Sequence, residues 1–248
     1  MAAVPNIKAV IEYDGTDFCG FQRQPSAPTI QGELERALRE LFCEPSVKVI
    51  GAGRTDAGVH AIGQVVSFTA TEAFPIDRIS PALNGLLPAS IRAKGAEEVP
   101  AQFHARYSAK ARTYVYAVLN RVAPSALLAR YAWHLTQPLD IGAMREAAGG
   151  LVGAKDFTSF GIPERAGGST VRQVFDLRIA RRRDAVLFKI RANAFLRGMA
   201  RAIVGALVEV GRGKRRPGEV AEMLAARDRR AAGVSAPPQG LYLTRVEY

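Results

Sequence analysis

Apolar residues recur along this chain with two periods, near two and near 3.6, and the switching between them sketches an α+β protein. From Ile7 to Tyr13 every second residue is apolar while Lys8 and Glu12 fall between, which predicts a strand; Asp14-Gly15-Thr16 predicts a turn after it. Ile30, Leu34, Leu38 and Leu41 fall on one face of a helix over Thr29–Phe42, which Thr29 can cap. Val47–Ile50 is a short strand. Val65–Ala70 is another, with Val66, Phe68 and Ala70 alternating against Ser67 and Thr69. Ile76–Leu86 is a helix ended by Pro88.

A second set of elements begins near Lys110. Arg112–Leu119 is a strand of high β-propensity, and Ile141–Ala148 a helix closed by Gly149-Gly150. Val171–Ile179 and Ala185–Arg191 pair around the turn Arg182-Arg183-Asp184. Asn193 can cap a helix running from about Ala194 to Val210, with Phe195, Met199, Ile203, Ala206 and Val210 in one stripe and Arg197 and Arg201 roughly opposite. Glu219–Ala226 is a short helix after Pro217, and Leu241–Val246 a closing strand. The pattern gives two halves, residues 1–108 and 109–248, each a mixture of strands and helices, with no short-period repeat. A ligand is expected in the cleft between them.

Composition narrows the class. The chain has 248 residues, 48% hydrophobic and 23% charged, so it can bury a core without a staple or a metal. Met1–Asn6 is too short and polar for a signal peptide, and the most apolar stretch, Ala202–Val210, is too short for a membrane span and contains Glu209. Two cysteines, Cys19 and Cys43, make no disulfide framework, so a reducing cytoplasm is expected. The net charge of +11 is lopsided. Residues 1–124 hold 13 Lys/Arg against 12 Asp/Glu, a net of +1; residues 125–248 hold 21 against 11, a net of +10. Positive charge at that density calls for a polyanion, and nucleic acid is the usual one.

The densest chemical signal is Gly51-Ala52-Gly53-Arg54-Thr55-Asp56-Ala57-Gly58-Val59-His60, a glycine-rich loop holding a fixed cation and a carboxylate. A dinucleotide fingerprint needs glycine where Asp56 stands, and the one Gly-Lys pair, Gly213-Lys214, is followed by Arg215 rather than Ser or Thr, so both phosphate-loop readings fail. The residues alone leave two readings of this loop: a catalytic carboxylate, or a turn whose Asp56 caps local backbone. On the strand after Lys110, Arg112, Tyr114 and Tyr116 share a face; Tyr114 beside cations suits stacking on a splayed-out base, while Tyr116 reads as core. Arg197 reads as a solvated cation. Arg201 is either the same or the partner of a buried carboxylate. Cys19 reads as an idle thiol. His60, His104 and His134 are scattered, so no metal site is expected. Arg181-Arg182-Arg183 and Lys214-Arg215-Arg216 are phosphate contacts or solvated turns.

Gly53 through His60 resembles the signature of the TruA family of tRNA pseudouridine synthases. Phe18 through Gln24, Arg112-Thr113-Tyr114, Asp156 through Phe160, Phe195 through Gly205 and Gly240 through Leu243 resemble further family segments in the same order. The resemblance implies two similar α/β halves with antiparallel or mixed sheets around a basic cleft. It implies a homodimer, no metal or cofactor, and the anticodon stem-loop of tRNA, at uridines 38, 39 and 40, as substrate. By position, Asp56 is similar to the family's essential aspartate and Arg54 to an arginine that displaces the target base. Tyr114 is similar to a tyrosine stacked on the flipped uracil, and Arg201 to the arginine that pairs with the aspartate. Phe21 stands where the family usually has Trp, and Arg197-Gly198 where a His often precedes the Met. Charge and aromatics also fit a non-catalytic RNA-binding or RNA-folding protein, which gives no reason for an Arg54–Asp56 loop. An enzyme for a small anionic substrate is a second alternative, and the failed phosphate-loop motifs count against nucleotide cofactors in it.

Overall fold

The computed structural model describes residues 5–70 and 74–248. Met1–Val4, most of the stretch considered as a leader, lie outside the described residues. By packing, the chain divides into two compact units, residues 1–110 with 243–248, and residues 111–242.

The first unit contains strand β1 (Asn6–Tyr13), helix α1 (Ile30–Phe42), strands β2 (Ile50–Gly51) and β3 (His60–Thr69), helix α2 (Ile76–Leu86) and strand β4 (Ile91–Val99). β1 lies between β4 and β3, antiparallel to both, and β2 pairs with β3. The alternation of β1 is kept: Ile7, Ala9, Ile11 and Tyr13 are buried. Thr29 caps α1 by accepting the N–H of Gly32 through its hydroxyl. The inward stripe of α1 is Ile30, Leu34, Ala37, Leu38 and Phe42; Leu41, in the last turn, is only half-buried. β3 differs more from its sequence pattern. It starts at His60, five residues before the expected Val65, and Ser67 is as buried as Val66 and Phe68. Its second face is covered too, and there the Ser67 hydroxyl accepts the N–H of Ala105 at 3.2 Å. β4 has no strong apolar alternation beyond Ile91 and Ala93, which is why its sequence does not announce it.

The second unit contains strands β5 (Ala111–Asn120) and β6 (Trp133–Leu135), helix α3 (Ile141–Gly149), strands β7 (Gly153–Asp156), β8 (Val171–Arg182) and β9 (Ala185–Ala192), and helices α4 (Met199–Gly211) and α5 (Glu219–Ala226). β5, β9, β8 and β7 are neighbours in that order and antiparallel, while β6 runs parallel to β5, so the sheet is mixed. Tyr116, Phe188, Met199, Ile203 and Leu207 are fully buried. Strand β10 (Leu241–Glu247) begins in the second unit and ends in the first, where it lies beside β3. The architecture is mixed α/β. No helix among the described residues is long and apolar enough to cross a membrane.

The helix expected from Ala194 starts at Met199 instead. Asn193 does not cap it. Its side-chain oxygen accepts the N–H groups of Gln173 (3.0 Å) and Ala194 (2.8 Å), which holds the chain on the end of the sheet. Arg197 and Ile162 exchange two backbone hydrogen bonds, and Gly198 takes φ +77°. Those bonds outcompete one more helical turn. Phe195 and Arg197 therefore precede α4 rather than share a face with Met199 and Arg201.

Candidate active site

In the first unit the glycine-rich loop joins β2 to β3, and it is fixed at four points. Ala52 N–H donates to Val65 O at 2.8 Å. The amide of Gln64, fully buried in the middle of β3, donates to Gly53 O at 2.8 Å. Thr55 turns inward, 7% exposed: its hydroxyl shares a 2.8 Å hydrogen bond with the Tyr13 hydroxyl, and its carbonyl accepts Phe21 N–H at 3.0 Å. Val59 N–H donates to Asp56 O at 3.2 Å, closing a turn in which Gly58 adopts φ +75°. Burial pushes the Tyr13 hydroxyl up to about 12, with the bonds to Thr55 and Gln64 opposing, so it stays neutral and able to donate.

On either side of the pinned Thr55, Arg54 is exposed and Asp56 half-buried. The segment after β1 packs against this loop. A Cβ on Gly15 would collide with Val59 O, and one on Gly20, at φ +94°, would stand 2.8 Å from Thr55 O. Glycine is required at both positions for the close approach. Tyr13, Gln64 and Thr55 hold the site, and sequence reasoning missed all three. Only the signature around Thr55 hinted at one of them.

In the second unit Tyr114 lies on β5 opposite Ile190, 7% exposed, with its ring edge-on to Phe195 at 4.8 Å between centroids. Arg112, on the same face, donates to Asn193 O at 2.8 Å and so fixes the segment that carries Phe195. Arg201 is the third residue of α4. Its Nε donates to Ala236 O at 2.7 Å, and its own carbonyl accepts Ala236 N–H at 3.0 Å. A Cβ on Gly205, one turn along, would meet Val234 O, so this glycine lets the segment 234–236 lie on the helix. Tyr116 is core, as its pattern predicts: it is fully buried, donates to Pro237 O at 2.8 Å, and burial raises its hydroxyl far above the usual range although Arg201 opposes the shift. Arg54 and Asp56 thus share one loop of the first unit, and Tyr114 and Arg201 flank the segment 193–198 and the start of α4 in the second.

Among known proteins, the family described as tRNA pseudouridine synthase matches residues 9–108 and 147–248. The chain is similar to the tRNA pseudouridine synthase A of Halalkalibacterium halodurans, with 48% identity over 93% of this chain and 88% of that protein. It is 46% identical to that of Brevibacillus brevis, over 98% of this chain and 99% of that one. To that of Thermoanaerobacter pseudethanolicus it is 43% identical, over the same shares.

Proposed function

The chain belongs to the tRNA pseudouridine synthase family, and from that premise we propose that it isomerises uridine to pseudouridine in the anticodon stem-loop of tRNA, with Asp56 as the catalytic residue. The observation that carries this reading is the build of the loop around Thr55, which buries the middle residue and leaves Arg54 exposed and Asp56 half-buried on either side of it. A turn that needed Asp56 only as a cap would not require four tertiary anchors.

The reaction breaks the bond between ribose C1′ and uracil N1 and forms one between C1′ and C5. The C5 proton is lost and N1 gains one. Atoms and electrons balance with no co-reactant. The base must first leave the stack, which costs a few kcal/mol and less at a loop or a stem end. Arg54, exposed on the loop, fills the gap that the base leaves. Tyr114 holds the extruded uracil by its face, with Phe195 buttressing the ring from the edge. Asp56 acts as the ionised carboxylate, the usual state of an aspartate at neutral pH, and Arg201 is its ion partner when RNA excludes water. The net +10 of residues 125–248 holds the RNA backbone. The enzyme works as a homodimer in the cytoplasm, where its substrate is.

The test uses unmodified tRNA transcripts carrying tritium at uridine C5, since forming the new carbon–carbon bond must release that label to water. Release by the wild type and none by Asp56→Asn is the expected result. Tight binding without release from any tRNA would overturn it in favour of RNA binding without catalysis.

A further inference from the structure

The fold builds one corner twice. After β1, Asp14 Oδ1 accepts the N–H of Thr16 at 3.0 Å and its hydroxyl at 2.6 Å. After β7, Asp156 Oδ1 accepts the same two groups of Thr158 at the same two distances. Two residues on, Phe18 and Phe160 turn into the core, and each donates its N–H three residues back, to Gly15 O and Phe157 O. A glycine follows in each corner, packed hard against another segment: Gly20 against Thr55 O, Gly161 against Leu196. The next residue then bonds to that segment's backbone, Phe21 N–H to Thr55 O and Ile162 N–H to Arg197 O.

What the two corners grip is different. The first holds the loop of Arg54 and Asp56. The second holds Phe195–Gly198. The two corners are not in one register: Asp14, Thr16 and Phe18 stand 142 residues before Asp156, Thr158 and Phe160, and Gly20 stands 141 before Gly161. By the backbone bond that closes each grip, Arg197 takes the place that Thr55 has in the first corner, and there the side chain is an exposed arginine.

We propose that this second corner presents Arg197 to a phosphate of the substrate RNA, beside the base held by Tyr114; the proposal rests on the function given above. Three observations carry it. Arg197 is exposed, and among the described residues its guanidinium has no hydrogen-bond or ion-pair partner, whereas nearby Arg227 and Arg230 are neutralised by Asp156 and Asp228. Its backbone is locked by two hydrogen bonds to Ile162, so binding has only the side chain left to order. Its position is set by Phe195, two residues earlier, whose ring packs on Tyr114. A second cation reinforces the spot. Arg229 is anchored to Ser159 O at 3.1 Å and to the Ser235 hydroxyl at 3.3 Å, and it lies 3.8 Å from where a Cβ on Gly198 would stand. Two cations at one corner are complementary to a polyanion.

The experiment measures the dissociation constant of an unmodified tRNA transcript against salt for the wild type, Arg197→Gln and Arg197→Lys. Loss of one phosphate contact lowers the slope of log affinity against log salt by about 0.7–0.9, and that is the change expected for Arg197→Gln, with Arg197→Lys keeping the wild-type slope. In tritium release, Arg197→Gln raises KM several-fold and leaves kcat within about twofold, since a phosphate contact positions without reacting. A wild-type slope and affinity in Arg197→Gln would overturn the proposal. Binding is read without catalysis, so absence of release by the wild type would refute the isomerase while the slope still decides the role of Arg197.

Discussion

The loop Gly51–Val59 and the segment Asn193–Gly198 are gripped by the same kind of corner but made rigid in different ways. The first is fixed through its middle: Thr55 is buried, and Tyr13, Phe21 and Gln64 close on the loop from three directions. The second is fixed through its edges, by Arg112 and Gln173 on Asn193 and by the paired backbones of Ile162 and Arg197. The middle-fixed loop locks the direction in which its charged residues leave the backbone, as an attacking or proton-accepting group requires. The edge-fixed segment locks only the backbone and leaves the exposed Arg197 side chain unpinned, which fits the phosphate contact proposed for it. One scaffold thus serves two demands on precision.

That contrast can be broken in order of effect. Asp56→Asn strikes the middle-fixed loop at its chemistry, and tritium release should fall by about 10²–10⁴-fold or more, while tRNA binding measured by filter retention stays near wild type. Gly20→Ala strains the grip itself: a non-glycine residue at φ +94° costs about 1–3 kcal/mol, and its Cβ pushes on Thr55 O. A lower melting temperature with a lower kcat is expected. Gly161→Ala, the same change in the second corner, should lower stability and raise KM instead. Equal effects of the two variants on kcat would erase the distinction between the corners.

Arg201→Ala leaves the buried carbonyl of Ala236 without its Nε–H donor, a loss of about 1–3 kcal/mol readable by urea unfolding, and release activity should fall with it. The smallest effect concerns pH. The Thr158 hydroxyl, then Thr170 and the nearby Arg227, hold the Asp156 carboxyl below the usual carboxylate range. Stability from that shift is fully present above the unfolded value near 4 and is lost as pH falls through the folded one. Thr158→Val should therefore be less stable than wild type at pH 7, and the gap should narrow toward pH 3; a gap that does not change with pH would mean that the hydroxyl acts only by packing.

Much of this was legible in the sequence because it depends on local rules. β1 shows its alternation, Thr29 its cap, and the loop at Asp56 its glycines, which only sharp turns and close approaches demand. The early start of β3 was hidden because both its faces are covered, so Gln64 and Ser67 are buried among partners from distant parts of the chain. The false first turn of α4 came from a true helical spacing at Phe195 and Met199. No sequence rule reveals that Ile162 competes for the backbone of Arg197. For the site, the charged residues stood out by type, while the groups that aim them, Tyr13, Thr55 and Gln64, look like ordinary strand and loop residues.

Strand β10 has a consequence for how the molecule is made. Leu243–Tyr248 belong to the first unit: a Cβ on Gly63 would meet Thr244 O, Lys110 N–H donates to Glu247 O at 2.7 Å, and the Tyr248 ring packs tilted against Phe103, 4.8 Å between centroids, while its hydroxyl donates to Ala105 O. On the ribosome, the loop of Asp56 emerges early, but the unit around it lacks a strand until the whole of Ala111–Tyr242 has followed. The second unit is continuous and can fold without waiting. The unit that carries the Asp56 carboxylate is thus completed only by the stretch synthesised after the other unit.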